Sequence, residues 1–210
     1  MIKNKAITKG VQDTLSPHGA LQDLMEGNNR FVNNSMQTID HSALVEQTIT
    51  GQYPKAVILS CIDSRVPVEV VFDQAIGDVF VARVAGNFEN TDILGSMEYA
   101  CKVAGSKLVM VLGHESCGAV KAACDEVELG NITALLDNIM PAVRKASEEV
   151  DGEMNSSNAA FVNQAIANNV RLTIERIRER SPILKEMEDN GEIQIQGAVY
   201  KLTSGKVELI

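Results

Sequence analysis

No apolar run in this sequence approaches the roughly 18 residues that a membrane-spanning helix needs, so no membrane partner is expected. Basic residues are outnumbered, 19 Lys and Arg against 28 Asp and Glu, for a net charge of -9. That leaves no basic face of the kind nucleic-acid binding requires. The segment from Met1 to Gly10 is basic but has no apolar stretch of the kind a secretory signal carries. Cysteine is sparse, four in 210 residues, which is not a disulfide framework in a chain of this length. A reducing, cytoplasmic setting is the expectation. No Cys-x-x-Cys is present, which weakens a redox role. The residues around Ser116 lack the G-x-S-x-G spacing of a hydrolase nucleophile elbow. Histidine occurs three times only, as His18, His41 and His114.

What is present reads as an α/β protein. At 210 residues the chain is expected to form a single domain over 1–210, large enough for its own core without a staple. Leu21 to Val32 places Leu21, Leu24, Met25 and Phe31 on one face of an amphipathic helix. With a second helix over His41 to Ile49, it makes an N-terminal helical arm over 1–50, before an α/β core over 51–210. Ala56 to Cys61, Val79 to Val84 and Leu108 to Gly113 read as strands, with a short helix over Val66 to Phe72. Thr91 to Val103, Gly118 to Leu129 (closed by Gly130), Ile132 to Val150 and Phe161 to Arg180 read as helices, the last stopped by Pro182. Alternating Ile193, Ile195, Gly197 and Val199, then a turn at Ser204-Gly205, predict a terminal hairpin ending in an antiparallel strand. Strands alternating with helices argue for a parallel sheet flanked by helices.

Two short segments carry chemistry. Cys61-Ile62-Asp63-Ser64-Arg65 follows the strand Ala56 to Leu59, and His114-Glu115-Ser116-Cys117-Gly118 follows the strand Leu108 to Leu112. In an open parallel sheet both would lie at carboxyl ends of strands, where ligand crevices form. Two thiols, an imidazole and a carboxylate would then converge, a set suited to tetrahedral zinc. Cys117 would sit near a helix N-terminus, which favours the thiolate. Taken singly, Cys61 and Cys117 are better read as small buried hydrophobes; the pairing of both motifs at strand ends reverses that. Cys101 and Cys124 have no such company and read as packing residues, as His18 and His41 read as exposed or capping side chains.

With Cys61-x-Asp63-x-Arg65 and His114-x-x-Cys117-Gly118 in this order, the chain resembles a β-class carbonic anhydrase. The resemblance runs from Gly27-Asn28-Asn29-Arg30-Phe31 to the terminal hairpin. It implies one Zn2+ per chain, held by Cys61, His114 and Cys117, and an ion pair of Asp63 with Arg65. In a closed state Asp63 itself completes the metal shell. It further implies that Gln52, Phe80, Tyr99 and Gly118 shape the substrate pocket. Some of these serve a neighbouring subunit in relatives, so a homo-oligomer, dimer or tetramer, is implied. Departures are modest: Ile62, Val84, Ala85 and Glu115 each differ from residues common in relatives, and none removes a ligand.

The implied activity is reversible hydration of carbon dioxide to bicarbonate by zinc-bound hydroxide. Two thiolates donate more charge than imidazoles, so the expected activity rises toward alkaline pH. Zinc with two thiolates and neutral His114 is formally neutral, and either hydroxide or the Asp63 carboxylate brings it to minus one. These ligands therefore compete closely, and the planar fork of Arg65 on Asp63 tips the balance toward an open metal. Two other readings stand beside this one. The same centre could hydrolyse carbonyl sulfide or carbon disulfide, or it could be a closed structural zinc site in a scaffold protein. A permanently ligated Asp63 would have little need of Arg65, which counts against the scaffold.

Overall fold

Ala56-Val57-Ile58-Leu59-Ser60 is buried along its whole length, as expected of a strand covered on both faces of a parallel sheet. The computed structural model describes residues 2–210. Its N-terminal part comprises β1 (Ile2–Lys3), α1 (Lys9–Thr14), α2 (Pro17–Val32), β2 (Thr38–Ile39) and α3 (His41–Thr48). There follow β3 (Ala56–Ser60), α4 (Val68–Val71), β4 (Val79–Arg83), α5 (Thr91–Glu98) with a π-helical extension over Tyr99–Val103, and β5 (Leu108–His114). The remainder is α6 (Gly118–Cys124), α7 (Gly130–Leu136), α8 (Met140–Glu149), α9 (Ala159–Arg180), α10 (Pro182–Asp189), β6 (Gln194–Tyr200) and β7 (Val207–Leu209).

Among the described residues five strands form the main sheet, in the order β4-β3-β5-β6-β7. β4, β3, β5 and β6 run parallel, and β7 returns antiparallel to β6. Successive side chains of a strand face opposite ways, so the central strands feed two cores. Ile58 and Met110 pack with Leu24 of α2 and Phe72 on one face. Val57, Leu59, Val109 and Val111 pack with Met97, Ile177 and Leu184 on the other. α2 lies tight against its neighbour: a Cβ on Gly27 would stand 1.8 Å from the Phe72 carbonyl oxygen.

The parallel sheet, flanking helices, helical arm and terminal antiparallel strand are as the sequence predicts. Several boundaries differ. The arm also contains α1 and the small parallel pair β1–β2, elements too short for periodicity to register. The helix expected over Gly118 to Leu129 ends at Cys124, and Glu126 takes a left-handed conformation with φ 51°. Gly130 does not close that helix but opens α7. The helix expected over Ile132 to Val150 is two, α7 and α8, because Pro141 sits at the start of α8, where a missing N–H costs nothing. Pro182 stops α9 as expected, yet it also begins α10, with Ser181 Oγ accepting from the Leu184 amide at 3.2 Å.

Candidate metal centre

β3 and β5 are adjacent and parallel, with Ser60 level with Leu112. Cys61, one step past β3, and His114, the last residue of β5, therefore leave the sheet side by side. Ser116 adopts a left-handed conformation, φ 52°, which folds the chain back so that Cys117 can start α6. All three side chains are buried: His114 at 0 %, Cys117 at 1 % and Cys61 at 4 % exposure. Their donor atoms lie within 4.8 Å of one another, and the two sulfurs are 4.0 Å apart.

This geometry fits a tetrahedral metal. Two sulfurs bound at about 2.3 Å to one such ion stand about 3.8 Å apart. His114 Nδ1 lies 2.8 Å from the Glu115 carbonyl oxygen, so Nδ1 carries the proton and donates. Nε2 is left with a free lone pair, and this buried atom has no hydrogen-bond partner among the described residues. A ring nitrogen oriented by a carbonyl behind it is the usual arrangement of a metal-binding histidine. The thiols behave as a pair. A hydrogen bond from Cys117 pulls the Cys61 thiol well below the usual cysteine range. The same contact, then burial, pushes Cys117 up, against the opposing pull of the Val120 and Ala119 amides.

Asp63 and Arg65 stand at the rim. Arg65 Nε donates to Asp63 Oδ1 at 3.0 Å and Nη2 to Oδ2 at 2.8 Å, with the Arg65 amide adding a bond of 2.9 Å to Oδ1. The Arg65 side chain is the main reason the Asp63 carboxyl is held down at about 2. Asp63 Oδ2 is 3.9 Å from His114 Nε2, beyond hydrogen-bond reach but facing the donor cluster. Arg65 Nη2 also donates to the Ser116 carbonyl at 3.2 Å, which ties the first motif to the second.

The structure thus brings Cys61, Asp63, Arg65, His114 and Cys117 together, and Gly118 follows directly at the exposed start of α6, with open space where a Cβ would stand. Gln52, Phe80 and Tyr99 gather elsewhere in the chain. Gln52 and Tyr99 line a cavity of about 380 Å³ with Lys9, Tyr53 and Val103. Phe80 and Tyr99 meet edge to face, with ring centroids 6.3 Å apart, on a groove of about 660 Å³. Neither cavity is lined by a residue of the Cys-His-Cys group.

Glu115 points away from the centre: its carboxylate accepts from the Thr203 amide and hydroxyl at 3.3 and 3.1 Å. Two contributors escaped sequence reasoning. Arg83, at the end of β4, donates to the carbonyls of Cys61 at 2.8 Å and Asp63 at 2.7 Å and so braces the loop between them. The Gly86 amide donates to Cys61 Sγ at 3.3 Å. Arg83 had one signal, a cation at a strand end beside the crevice; a backbone amide has none.

An open, mostly parallel sheet that delivers two thiols and an imidazole to one buried point, beside a carboxylate–guanidinium pair, defines an α/β protein with a candidate metal centre at the carboxyl ends of its strands. The family model described as carbonic anhydrase matches residues 56–207, and the chain belongs to that family. Carbonic anhydrase 2 of Mycobacterium tuberculosis (strain CDC 1551 / Oshkosh) is 36% identical over 203 residues, covering 92% of this chain and 93% of that protein. The carbonic anhydrase of Pseudomonas aeruginosa is 28% identical over 196 residues, covering 90% of this chain and 87% of its own. Among solved structures, the β-carbonic anhydrase CcaA superposes with a TM-score of 0.70 at 25% identity, over 90% of this chain and 94% of that one. The activity is the reversible hydration of carbon dioxide, and the family depends on zinc.

Proposed function

We propose that this chain hydrates carbon dioxide at a zinc ion held by Cys61 Sγ, His114 Nε2 and Cys117 Sγ, with Asp63 and Arg65 as the catalytic pair. The observation that carries this reading is the buried, unpartnered Nε2 of His114 facing two sulfurs 4.0 Å apart. When bound there, zinc supplies Lewis acidity that lowers the pKa of water.

The protein's own groups do the rest. Burial of all three donors keeps bulk water from competing for them. Asp63, kept ionised by Arg65, remains a hydrogen-bond acceptor beside the donor cluster. Its Oδ2, which faces the donor cluster, would orient a water there by accepting a hydrogen bond from it. Arg65, anchored on the Ser116 carbonyl, would hold the carboxylate off a metal bound at the donor cluster. Released from Arg65, Asp63 would itself offer a fourth donor to the metal, the closed state of the site. The scaffold reading loses ground here, since a bidentate fork on Asp63 competes with permanent ligation.

Gln52, Phe80, Tyr99 and Gly118 form the substrate pocket in this reading, and a homodimer is needed to assemble it. Gln52 and Tyr99 lie away from the protomer's own donor cluster. Tyr99 and Val103 are 55% and 71% exposed, apolar surface that a second copy would cover. The arm over 1–50 and the core over 51–210 act as one domain, α2 packing into the same core as β3 and β5. A cytoplasmic location is supported by four free cysteines, and no described helix is long and apolar enough to cross a membrane.

The test is stopped-flow hydration of carbon dioxide on protein of measured zinc content, with carbonyl sulfide and carbon disulfide assayed in parallel. Turnover of carbon dioxide proportional to zinc is expected. Fully loaded protein that hydrates none of it would overturn the proposal.

A further inference from the structure

The sulfur of Cys61 is held from behind as well as in front. Gly86 follows β4 in a left-handed conformation, φ 81°, and a Cβ there would stand 2.4 Å from Ile139 Cδ1. The loop thus passes between the helices and the metal centre along a path only glycine fits. On one side the Gly86 amide donates to Cys61 Sγ at 3.3 Å. On the other, the Gly86 carbonyl accepts from Nδ2 of Asn169 at 2.7 Å. Asn169 belongs to α9 and is 1% exposed, so water cannot replace that bond. The far end of the loop hangs on the same helix: Glu89 accepts from Arg176 Nε at 3.0 Å and Arg180 Nη1 at 2.9 Å. Asn169 and Arg176 are two helical turns apart and share a face of α9.

We infer that Asn169 is a positioning residue of the metal centre: it pins the Gly86 carbonyl and thereby aims the Gly86 N–H at the Cys61 sulfur. This inference rests on the reading of Cys61, His114 and Cys117 as metal ligands. An amide donating to a ligating sulfur takes up part of its negative charge and fixes its direction. Loss of such a supporting bond costs about 10–100-fold in metal affinity. Asn169 makes no contact with the donor atoms themselves and acts only through Gly86.

The experiment compares Asn169→Leu with Asn168→Leu. The leucine at 169 is close in size and also removes Oδ1, a buried atom without a partner among the described residues. Asn168, equally buried, donates to Glu149 at 2.7 Å, so its variant loses a comparable bond remote from the loop. Zinc affinity is measured by competition with a chromophoric chelator, and the thiolate-to-metal charge-transfer band is recorded on cobalt-substituted protein. Asn169→Leu should lose about tenfold or more in affinity and shift the band, with Asn168→Leu like the wild type in both. Wild-type affinity and an unmoved band in Asn169→Leu would overturn the inference. Should that variant not fold, wild-type protein loaded with cadmium-113 decides the matter. A scalar coupling between the Gly86 amide proton and the metal is expected across the N–H···S bond, and its absence would overturn the inference. Wild-type protein that takes up no zinc, cobalt or cadmium would instead sink the reading of the metal ligands beneath it.

Discussion

Arg65 grips both carboxylate oxygens of Asp63, at 3.0 and 2.8 Å, while the nitrogen on Oδ2 also reaches the Ser116 carbonyl. One guanidinium thus fixes the orientation of the carboxylate and couples the two chain segments that carry the candidate metal donors. Arg65 is itself half exposed, so the pair contributes little to stability. Its value lies in the placement of Asp63.

Replacing Arg65 tests that placement. Arg65→Ala should lower turnover by about a hundredfold or more, within the range for loss of one positioned polar group, with zinc content unchanged. Arg65→Lys keeps the charge but not the fork and should recover only part of the loss. Stopped-flow rates with metal analysis decide it. Full turnover in Arg65→Ala would remove the pair from the mechanism.

Asp63→Ala removes the acceptor and leaves Cys61, His114 and Cys117 intact. Metal stoichiometry should stay at one per chain, while turnover falls about a hundredfold or more. A variant that purifies without metal would show instead that Asp63 is an obligatory ligand.

The cysteines should sort into two classes once metal is removed. Burial pushes the thiol of Cys101 up to about 12, and burial, its largest cause, takes that of Cys124 to about 11. Raised values mean that little thiolate exists near neutral pH, and the thiolate is the reactive form. Alkylation of chelated, folded protein should therefore label Cys61, whose thiol is lowered, and spare Cys101 and Cys124 until denaturant is added. Mass spectrometry of the labelled peptides reads this directly. The chelated protein should keep most of its circular dichroism: Cys61 and Cys117 belong to a third cluster, with Val120, Ile139 and Phe161, while the cores on the two faces of the sheet contain none of the donor residues.

The shared pocket predicts complementation between defective chains. If Gln52 serves the partner's centre, a mixed dimer of Gln52→Ala and Asp63→Ala chains has one site with both defects and one with neither. Random re-association of the two variants should restore about a quarter of wild-type activity, as two-fold symmetry requires. No recovery in dimers shown to have exchanged would place Gln52 in its own chain's site.

The core offers a control on stability alone. Leu24 and Met110 are fully buried on the face of the sheet opposite α9. Met110→Ala should destabilise the fold by about 2–5 kcal/mol in denaturant titration, with zinc stoichiometry unchanged in the protein that remains folded.

Long, strongly patterned segments were legible in the chain, because burial on both faces demands unbroken apolar runs such as Ala56 to Leu59 and Leu108 to Leu112. Where local patterning is weak, it misled. Pro141 and Pro182 read as breakers or as nothing, and both sit at helix starts. α1 and the pair β1–β2 are too short to show a period at all.

The candidate donors were legible too, since residue type and a strand-end position sufficed to nominate Cys61, His114 and Cys117, with Asp63 and Arg65 beside them. Their convergence could be expected only on the condition that both motifs end strands of one parallel sheet. It depends on β3 and β5 being neighbours in register, a pairing between segments far apart in the chain. The support behind the site, Arg83 on the loop carbonyls and Asn169 through Gly86, is likewise a product of packing. Chemistry travels with side chains and can be read one residue at a time. Backbone carbonyls and amides are the same at every position, and only the folded chain decides which of them meet.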